Sequence, residues 1–357
     1  MQSEIPVRLG ARAVDVGYSN VKFTLGQKAA TDGRPVATGI FPALAPTLKT
    51  GSARMLADAP ASDGCLVEIG KVAYFVGAGA AHHSNGIEPC PITAEYALSD
   101  KYLALLRGAL FYMACDAGAA REVVIDYLVL GLPLTTYHLY HRQLGQRALG
   151  MHVMRRSSEV DAHRVIVRQA RVIVQPAGAL ISLGARSGRM PDGLSLVIDV
   201  GGGTLDWYLT SGSHPNLERS GAYPKAMLEC AFAVADRVNT RWRDQFAIVQ
   251  RIDTALRQRA ASFQVQGKQY CLADYEDVVD KVLEEALNQM LSTVGATDDI
   301  DHVLLTGGGA PLFADHLRRR LPQFVPILRL DPDPVYANVR GFQVAGEHYL
   351  QAGAAAR

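Results

Sequence analysis

The sequence has no excess of charge of either sign and no long hydrophobic run. Its 36 Lys and Arg residues nearly balance 35 Asp and Glu residues, which leaves a net charge of +1. A dedicated nucleic-acid-binding protein usually carries a basic face, so this balance argues against a direct nucleic-acid site. No stretch approaches the roughly 18 apolar residues of a membrane span, and the N-terminus lacks a signal-peptide pattern. We therefore expect a soluble, cytoplasmic protein that does not enter a membrane.

Disulfide and metal-binding patterns are also missing. The cysteines have no CxxC spacing and no matching pair of histidines; they are Cys65, Cys90, Cys115, Cys230 and Cys271. Free thiols in a reducing compartment are the expected state. The adjacent His82 and His83 suit a loop better than a metal site.

What the sequence does contain is a repeated α/β pattern. Hydrophobic residues make up 48% of the 357 residues, and the length exceeds what one hydrophobic core usually supports. A hairpin with a polar tip opens each half, at residues 11–25 and 195–210, and helical patterns follow. The sequence thus predicts an α/β protein of two related modules, each a mixed sheet flanked by helices. We place the first domain at residues 1–175 with 337–357, and the second at residues 176–336.

Local patterns predict the remaining elements. A second hairpin is expected at residues 67–76, and strands at 123–130, 164–174 and 301–306. The pair Gln175-Pro176 is expected to close the strand at 164–174. Helices are expected at residues 99–117, 135–147, 177–185, 225–262, 273–294, 311–321 and 337–352.

The tip of the first hairpin carries residues suited to a phosphate and a metal ion. Asp15 ends an apolar strand, where a carboxylate can hold Mg²⁺ through its water shell. Gly17 allows a sharp turn, after which backbone N–H groups can point at phosphate oxygens. Lys22 can supply the positive charge that neutralises the β- and γ-phosphates. Taken alone this pattern is weak, because Asp-x-Gly is common in ordinary hairpins.

Two later glycine runs make the pattern more specific. Asp199 also ends an apolar strand, and three glycines at 201–203 follow it without side chains that would block an anion. A glycine run in a plain surface hairpin is the alternative. A third run at 307–309 lies between a strand and a helix, where bare backbone can face an adenosine. Two Asp-led loops can together clamp a triphosphate from opposite sides.

The order of the three loops resembles the phosphate-1, phosphate-2 and adenosine motifs of the actin, heat-shock-chaperone and sugar-kinase superfamily. The segments DVGYSNVKF, GLPLTTY, DVGGGTLDW, LLTGGGAPLF and YANVRGF are similar to plasmid-segregation actins of the ParM/StbA type, which include the protein D components of PRTRC gene clusters. The resemblance implies a two-domain actin/ribonuclease-H-like fold with ATP in the interdomain cleft. It also implies an ATPase that forms nucleotide-dependent filaments for plasmid DNA segregation, with a DNA-bound adaptor protein as partner.

The same resemblance assigns roles to residues. Asp15 and Asp199 would order the waters of a bound Mg²⁺ and, with Gln175, form the catalytic set. The phosphates would be held by Gly17, Tyr18, Ser19, Asn20, Lys22, Gly201, Gly202, Gly203 and Thr204. The adenosine would lie against Gly307, Gly308, Gly309 and Ala310.

One catalytic position departs from the plasmid actins, which often carry Glu where this sequence has Gln175. An amide cannot act as a general base at neutral pH, but it can orient a water for in-line attack on the γ-phosphorus. Actins proper resemble this chain in using Gln there, so slow hydrolysis is expected. The alternative is that Gln175 only caps a strand end. A second departure, at residues 220–225, leaves the ribose and base contacts undefined.

Three functions stay open at this point. The first is the filament-forming ATPase. The second is a non-polymerising, ATP-dependent switch or scaffold that presents a surface to a partner protein. The third is a small-molecule kinase of the same superfamily, although no sugar-site signature is evident.

Overall fold

The computed structural model describes residues 6–26, 36–48, 63–86, 93–118, 122–156 and 162–355. The strands are β1 Val7–Val16, β2 Asn20–Thr24, β3 Thr38–Pro42, β4 Thr47–Leu48, β5 Cys65–Ile69, β6 Val72–Val76, β7 Glu122–Leu132, β8 Gly150–Arg155, β9 Ala162–Val167, β10 Ala170–Val174, β11 Leu194–Val200, β12 Leu205–Ser211, β13 His214–Tyr223, β14 Ser262–Val265, β15 Lys268–Cys271, β16 His302–Thr306 and β17 Leu328–Leu330. The α-helices are α1 Asp100–Asp116, α2 Leu134–Ala148, α3 Gln175–Ser187, α4 Met227–Val238, α5 Phe246–Arg257, α6 Glu276–Val294, α7 Ala310–Arg320 and α8 Ala337–Ala355. Short 3₁₀ turns lie at Ala78–His83, Ala94–Leu98, Thr240–Asp244, Leu272–Tyr275 and Pro322–Phe324.

The same five-stranded arrangement occurs in both large sheets. One sheet contains the order β3-β2-β1-β7-β10, and the other has the order β13-β12-β11-β16-β17. In each series the first two pairings are antiparallel and the last two are parallel. The first sheet is extended by further strands, and β14 pairs with β15 in a separate hairpin. The predicted duplication of a mixed α/β module is confirmed.

The central strands are apolar on both faces because helices cover both sides of each sheet. In β11, Ile198 belongs to a large core with α4, α5, α6 and α7, while the neighbouring Val197 packs with Ala179 and Leu180 of α3. Successive residues of a strand point to opposite faces, so a strand covered on both sides has a continuous apolar sequence. In the first sheet, α1 covers one face, and Phe342 of α8 packs on the other.

Some predicted boundaries were wrong, because local turns interrupt continuous apolar patterns. The helix expected at 225–262 is two helices, since Asn239 ends α4 and its side chain accepts a hydrogen bond from the Arg241 backbone N–H. The strand expected at 164–174 is β9 and β10, which pair with β7 one after the other. Gln175 begins helix α3 and does not close a strand. The strands that were not predicted are β3, β4, β8, β13, β14, β15 and β17.

Two further expectations concern thiols and membranes. Cys65, Cys230 and Cys271 are free thiols, Cys115 accepts a hydrogen bond from Arg156, and Cys90 lies outside the described residues. None of the helices in the described part of the chain combines the length and the apolar character that a membrane crossing requires.

Candidate functional site

Three glycine loops meet at one cleft between the two large sheets. The first loop (residues 17–20) joins β1 to β2, the second loop (201–204) joins β11 to β12, and the third loop (307–309) precedes α7. The space within the cleft, open solvent included, is about 840 Å³. Its lining includes most of the residues singled out in the sequence: Asp15, Gly17, Tyr18, Ser19, Asn20, Lys22, Gln175, Asp199, Gly201, Gly202, Gly203, Thr204, Gly307 and Gly308.

Two of the predicted adenosine contacts are not brought to this cleft. The Gly309 backbone N–H donates to the Val200 carbonyl over 3.0 Å, and Gly309 packs against the Met227 side chain. Ala310 is fully buried in the core at the start of α7. Gly309 and Ala310 therefore anchor the third loop to the core. Of the four predicted adenosine contacts, only Gly307 and Gly308 face the cleft.

The first and second loops touch each other across the cleft. A Cβ atom added to Gly202 would collide with the Ser19 hydroxyl, and one added to Gly203 would collide with the Tyr18 ring. Glycine is therefore required at both positions in this closed arrangement, since any side chain would push the loops apart. The second and third glycines of the run are therefore explained by the close approach of the Ser19 and Tyr18 side chains.

The carboxylate of the first hairpin is paired with a cation. Asp15 and Lys22 are cross-strand partners in β1 and β2, and Lys22 Nζ lies 3.3 Å from Asp15 Oδ2. Gln175 Nε2 donates a hydrogen bond to Asp15 Oδ1 over 2.7 Å. The buried Asp15 carboxylate thus has one charged and one amide partner, and the amide comes from the first residue of α3.

The second hairpin places two carboxylates opposite each other. Asp199 and Asp206 are cross-strand partners in β11 and β12, and both are buried. Asn338 Nδ2 donates to Asp199 Oδ2 over 2.6 Å. Asp206 accepts from Thr204 Oγ1 over 2.6 Å and from the Leu134 backbone N–H over 3.1 Å. All of these partners are neutral, and the Leu134 bond ties the second hairpin to the first turn of α2.

Asp199 and Asp206 are buried without a cation as hydrogen-bond partner, and the pKa of both carboxyl groups is raised. Loss of hydration raises the pKa of Asp199 to about 6, against the opposing effect of the Asn338 hydrogen bond. Burial and the nearby Asp199 charge raise the pKa of Asp206 to about 7. Like charges facing each other across a strand pair are unfavourable, and burial strengthens their repulsion. Near neutral pH, the second hairpin is therefore stabilised when its two carboxyl groups bind protons or a cation.

An aromatic group forms the wall beside the first loop. The Tyr18 ring stacks on Tyr96 with 4.7 Å between ring centroids, and its hydroxyl donates to the Thr93 carbonyl over 2.9 Å. Tyr102 also lines the cleft and is almost completely buried, and this burial raises the pKa of its phenol. Because Tyr18 also lies against Gly203, it links this wall to the second loop.

The third loop supports the second hairpin. Gly307 has a φ of 84°, a left-handed conformation that favours glycine, and a Cβ there would collide with the Asp199 carboxylate. Its N–H donates to the Pro334 carbonyl over 2.9 Å. Next to it, Arg257 packs over Gly308 and donates to Asp253 Oδ2 over 2.6 Å. The guanidinium therefore lies where the third loop opens onto the cleft.

Sequence reasoning missed several residues of the site, chiefly Asp206, Asn338 and Arg257. Asp206 and Asn338 lie inside the quoted segments DVGGGTLDW and YANVRGF, so a signal for them was present. Asp206 stands as far after Asp199 as Lys22 stands after Asp15, and that symmetry could have placed it in the site. Arg257 ends a helix outside every motif, and no sequence signal marks it.

Comparison with known proteins agrees with this architecture. Residues 13–178 match the family described as the N-terminal domain of actin like proteins. Residues 197–319 match the family described as archaeal actin homologue MreB-like, C-terminal. Together the two matches take in most strands of both sheets and all three loops. This chain belongs to the actin-like proteins, a class with two mixed-sheet domains on either side of a cleft. No curated protein matches its sequence.

Solved structures share the whole fold at low sequence identity. The archaeal actin homologue Ta0583, in complex with ADP, matches with a TM-score of 0.70 and 18% identity over 95% of this chain and 99% of its own. The actin-like protein Alp7A has a TM-score of 0.74 and 14% identity over 98% of both chains. A ParM from a 15-stranded Clostridium botulinum filament has a TM-score of 0.70 and 17% identity, covering 95% of this chain and 99% of its own. The two-domain actin-like fold predicted from the sequence is confirmed, whereas the narrower resemblance to PRTRC proteins stays a prediction.

Proposed function

We propose that this protein binds Mg-ATP in the cleft, hydrolyses it slowly and forms cytoplasmic filaments that segregate plasmid DNA. The observation that carries the proposal is the convergence of three glycine loops and two strand-end carboxylates on one cleft. The ADP complex of Ta0583 and the ParM filament support nucleotide binding and self-assembly in proteins of this fold. The proposal keeps the domain division at 1–175 with 337–357 and 176–336.

The donor set of the cleft suits Mg²⁺. Asp15 and Asp199 both line the cleft and offer hard carboxylate oxygens. Within the described ranges, no group of three or more His, Cys, Asp or Glu side chains forms a metal cage. Mg²⁺ usually keeps several waters and takes few protein ligands plus substrate phosphates, so two carboxylates fit it. When bound, Mg²⁺ would neutralise charge on the phosphate oxygens.

The residues of the chain would then bind and orient the triphosphate. Residues of the first and second loops line the cleft, and the Lys22 ammonium adds a positive charge beside Asp15. Gln175 donates its amide N–H to Asp15, which leaves its side-chain oxygen to accept a hydrogen bond from a water. A positioned amide orients the attacking water but does not remove its proton, so slow turnover follows.

Filament growth needs an interface that does not close on itself. Copies that associate head to tail through two different surfaces form an open filament. The balanced charge of the chain gives no sign of a basic face for DNA, so we propose that a DNA-bound adaptor protein couples the filament to its cargo. The proposed partners are therefore other copies of this chain and an adaptor, with neither direct nucleic-acid binding nor membrane binding.

Sedimentation tests the filament proposal against the nucleotide switch. The protein is centrifuged with Mg-ATP, Mg-ADP or a non-hydrolysable ATP analogue over a wide concentration range. We expect polymer in the pellet with ATP and the analogue above a critical concentration, and less with ADP. Nucleotide binding without any pelleted polymer would support the non-polymerising switch or scaffold and contradict the filament.

The kinase alternative predicts a different dependence. Phosphate release from ATP by the purified protein alone should equal ADP formation if ATP is only hydrolysed. ADP formation that requires an added small-molecule acceptor, without matching phosphate release, would identify a phosphotransferase.

A further inference from the structure

A second cavity lies beside the cleft, between helices α4 and α5 and the tip of the first loop. The space between its lining residues, open solvent included, is about 430 Å³. Its apolar wall is formed by Leu228, Phe232, Phe246 and Val249. Such a surface suits a flat apolar molecule, since aromatic side chains bury large area and stack on rings.

One buried carboxylate oxygen in this cavity lacks a hydrogen-bond partner. Asp253 lines the cavity, is 1% exposed, and uses Oδ2 to accept from Arg257 over 2.6 Å. Across the described ranges, neither Asp253 Oδ1 nor the buried Ser19 hydroxyl on the same cavity wall has a partner. An unsatisfied buried polar group costs about 1–3 kcal/mol, so a donor that enters the cavity gains by meeting Oδ1.

Arg257 lies at the boundary between this cavity and the cleft. Its side chain lines both spaces, and its Nη1 lies 3.3 Å from the Asn20 side-chain oxygen when that amide is oriented to accept the bond. The negative charge of Asp253 is already paired with this guanidinium. A neutral N–H donor therefore fits Oδ1 better than a second cation beside Arg257.

We propose that this cavity binds a small neutral molecule with an aromatic ring and an N–H donor, whose ring packs on Phe232 and Phe246 and whose N–H meets Asp253 Oδ1. Such a ligand contacts both domains, because Tyr18 and Ser19 belong to the first hairpin. Phe246 also packs against the cluster of Leu44, Phe75 and Ala80 in the first domain. An occupant therefore stabilises the closed arrangement of the two domains.

Two pairs of probes test the proposal by calorimetric titration of the full chain without nucleotide. Indole and benzamide carry the N–H donor, whereas N-methylindole and N,N-dimethylbenzamide keep the ring and lack it. We expect saturable binding of the N–H compounds, about tenfold tighter than their methylated partners, since a lost hydrogen bond to a buried acceptor has about that effect. No saturable binding, or equal binding of both members of each pair, would overturn the proposal.

A filling variant locates the bound probe. Gln250 is half-buried and lines the cavity, so Gln250→Trp should fill it and remove indole and benzamide binding. Gln258→Trp is the matched control, because Gln258 is exposed just after the same helix and does not line the cavity. Circular dichroism checks that both variants fold. Unchanged binding to folded Gln250→Trp would place the probe elsewhere and contradict the assignment.

Discussion

The two hairpins that line the cleft have the same turn and strand pairing, but their cross-strand partners differ in charge. Gly17 N–H donates to the Asn20 carbonyl over 3.0 Å, and Gly201 N–H donates to the Thr204 carbonyl over 2.9 Å. At the equivalent position of each ladder, Asp15 faces Lys22, whereas Asp199 faces Asp206. The two hairpins therefore share one backbone arrangement but differ in the charge of their cross-strand pairs.

The two hairpins therefore differ in how the charge of their carboxylates is compensated. The first hairpin holds its own cation, so its carboxylate is compensated before any ligand binds. The second hairpin has two buried carboxyl groups with neutral partners, and its compensation must come from protons or from a bound cation. Repulsion between Asp199 and Asp206 destabilises the protein without ligand at neutral pH. The same two negative charges would attract Mg²⁺ and so favour binding of the Mg-nucleotide complex.

Removing the strand-end carboxylate of the second hairpin should have the largest effect. Asp199→Ala is expected to lower Mg-ATP hydrolysis by about 1,000-fold, because a bound Mg²⁺ would lose one of the two carboxylates proposed to hold it. Phosphate release measures this rate. Asp192→Ala, at an exposed aspartate of the same domain, should leave it unchanged. Retained hydrolysis in Asp199→Ala would remove this residue from the metal site.

Gln175, which donates a hydrogen bond to Asp15 of the first hairpin, offers a test of water positioning. Gln175→Ala should lower hydrolysis by about 100-fold and leave ATP affinity within a few-fold, because the amide orients a water and contributes little to binding. Single-turnover phosphate release and an ATP titration separate the two effects. A parallel loss of affinity and rate would instead assign Gln175 a structural role through its bond to Asp15.

Asp206→Asn should remove part of the charge conflict in the second hairpin. Since the pKa of Asp206 is raised to about 7, the folded protein binds this proton more tightly than the unfolded chain does. The associated stability is present below about pH 4 and is lost as pH rises to about 7. Asn stays neutral, so the variant without nucleotide should be more stable by up to about 4 kcal/mol at pH 8 and nearly unchanged at pH 4.

Urea unfolding at several pH values measures this difference. A constant difference between pH 4 and pH 8 would contradict the proposed titration. Equal stability of the variant and the parent protein at pH 8 would show that the hairpin tolerates both charges.

Lys22→Met makes the first hairpin resemble the second by removing its cation. ATP affinity should fall about tenfold, because one charge beside the phosphates is lost, and the difference should shrink at high salt. Fluorescence titration with a labelled ATP at low and high salt measures this. A salt-independent loss would indicate a change of packing and not of charge.

The sequence was sufficient for the features that repeat locally. An apolar strand, an aspartate and a glycine turn occur twice at matching spacing, and this predicted the two modules and most of the cleft lining. It was not sufficient for contacts made by distant elements. Arg257 reaches the cleft only because α5 packs over the third loop, and Asn338 only because α8 begins beside Asp199. Gly309 and Ala310 were assigned by motif, although the packing of α7 turns them into the core.

Equilibrium titration of the full chain with ATP, with and without Mg²⁺, tests the central claim most directly. Calorimetry reports both the affinity and the number of sites. We predict saturable binding at one site, clearly tighter when Mg²⁺ is present and tighter at pH 8 than at pH 5.5, where Asp199 and Asp206 hold protons. No saturable binding of ATP under any of these conditions would contradict the account.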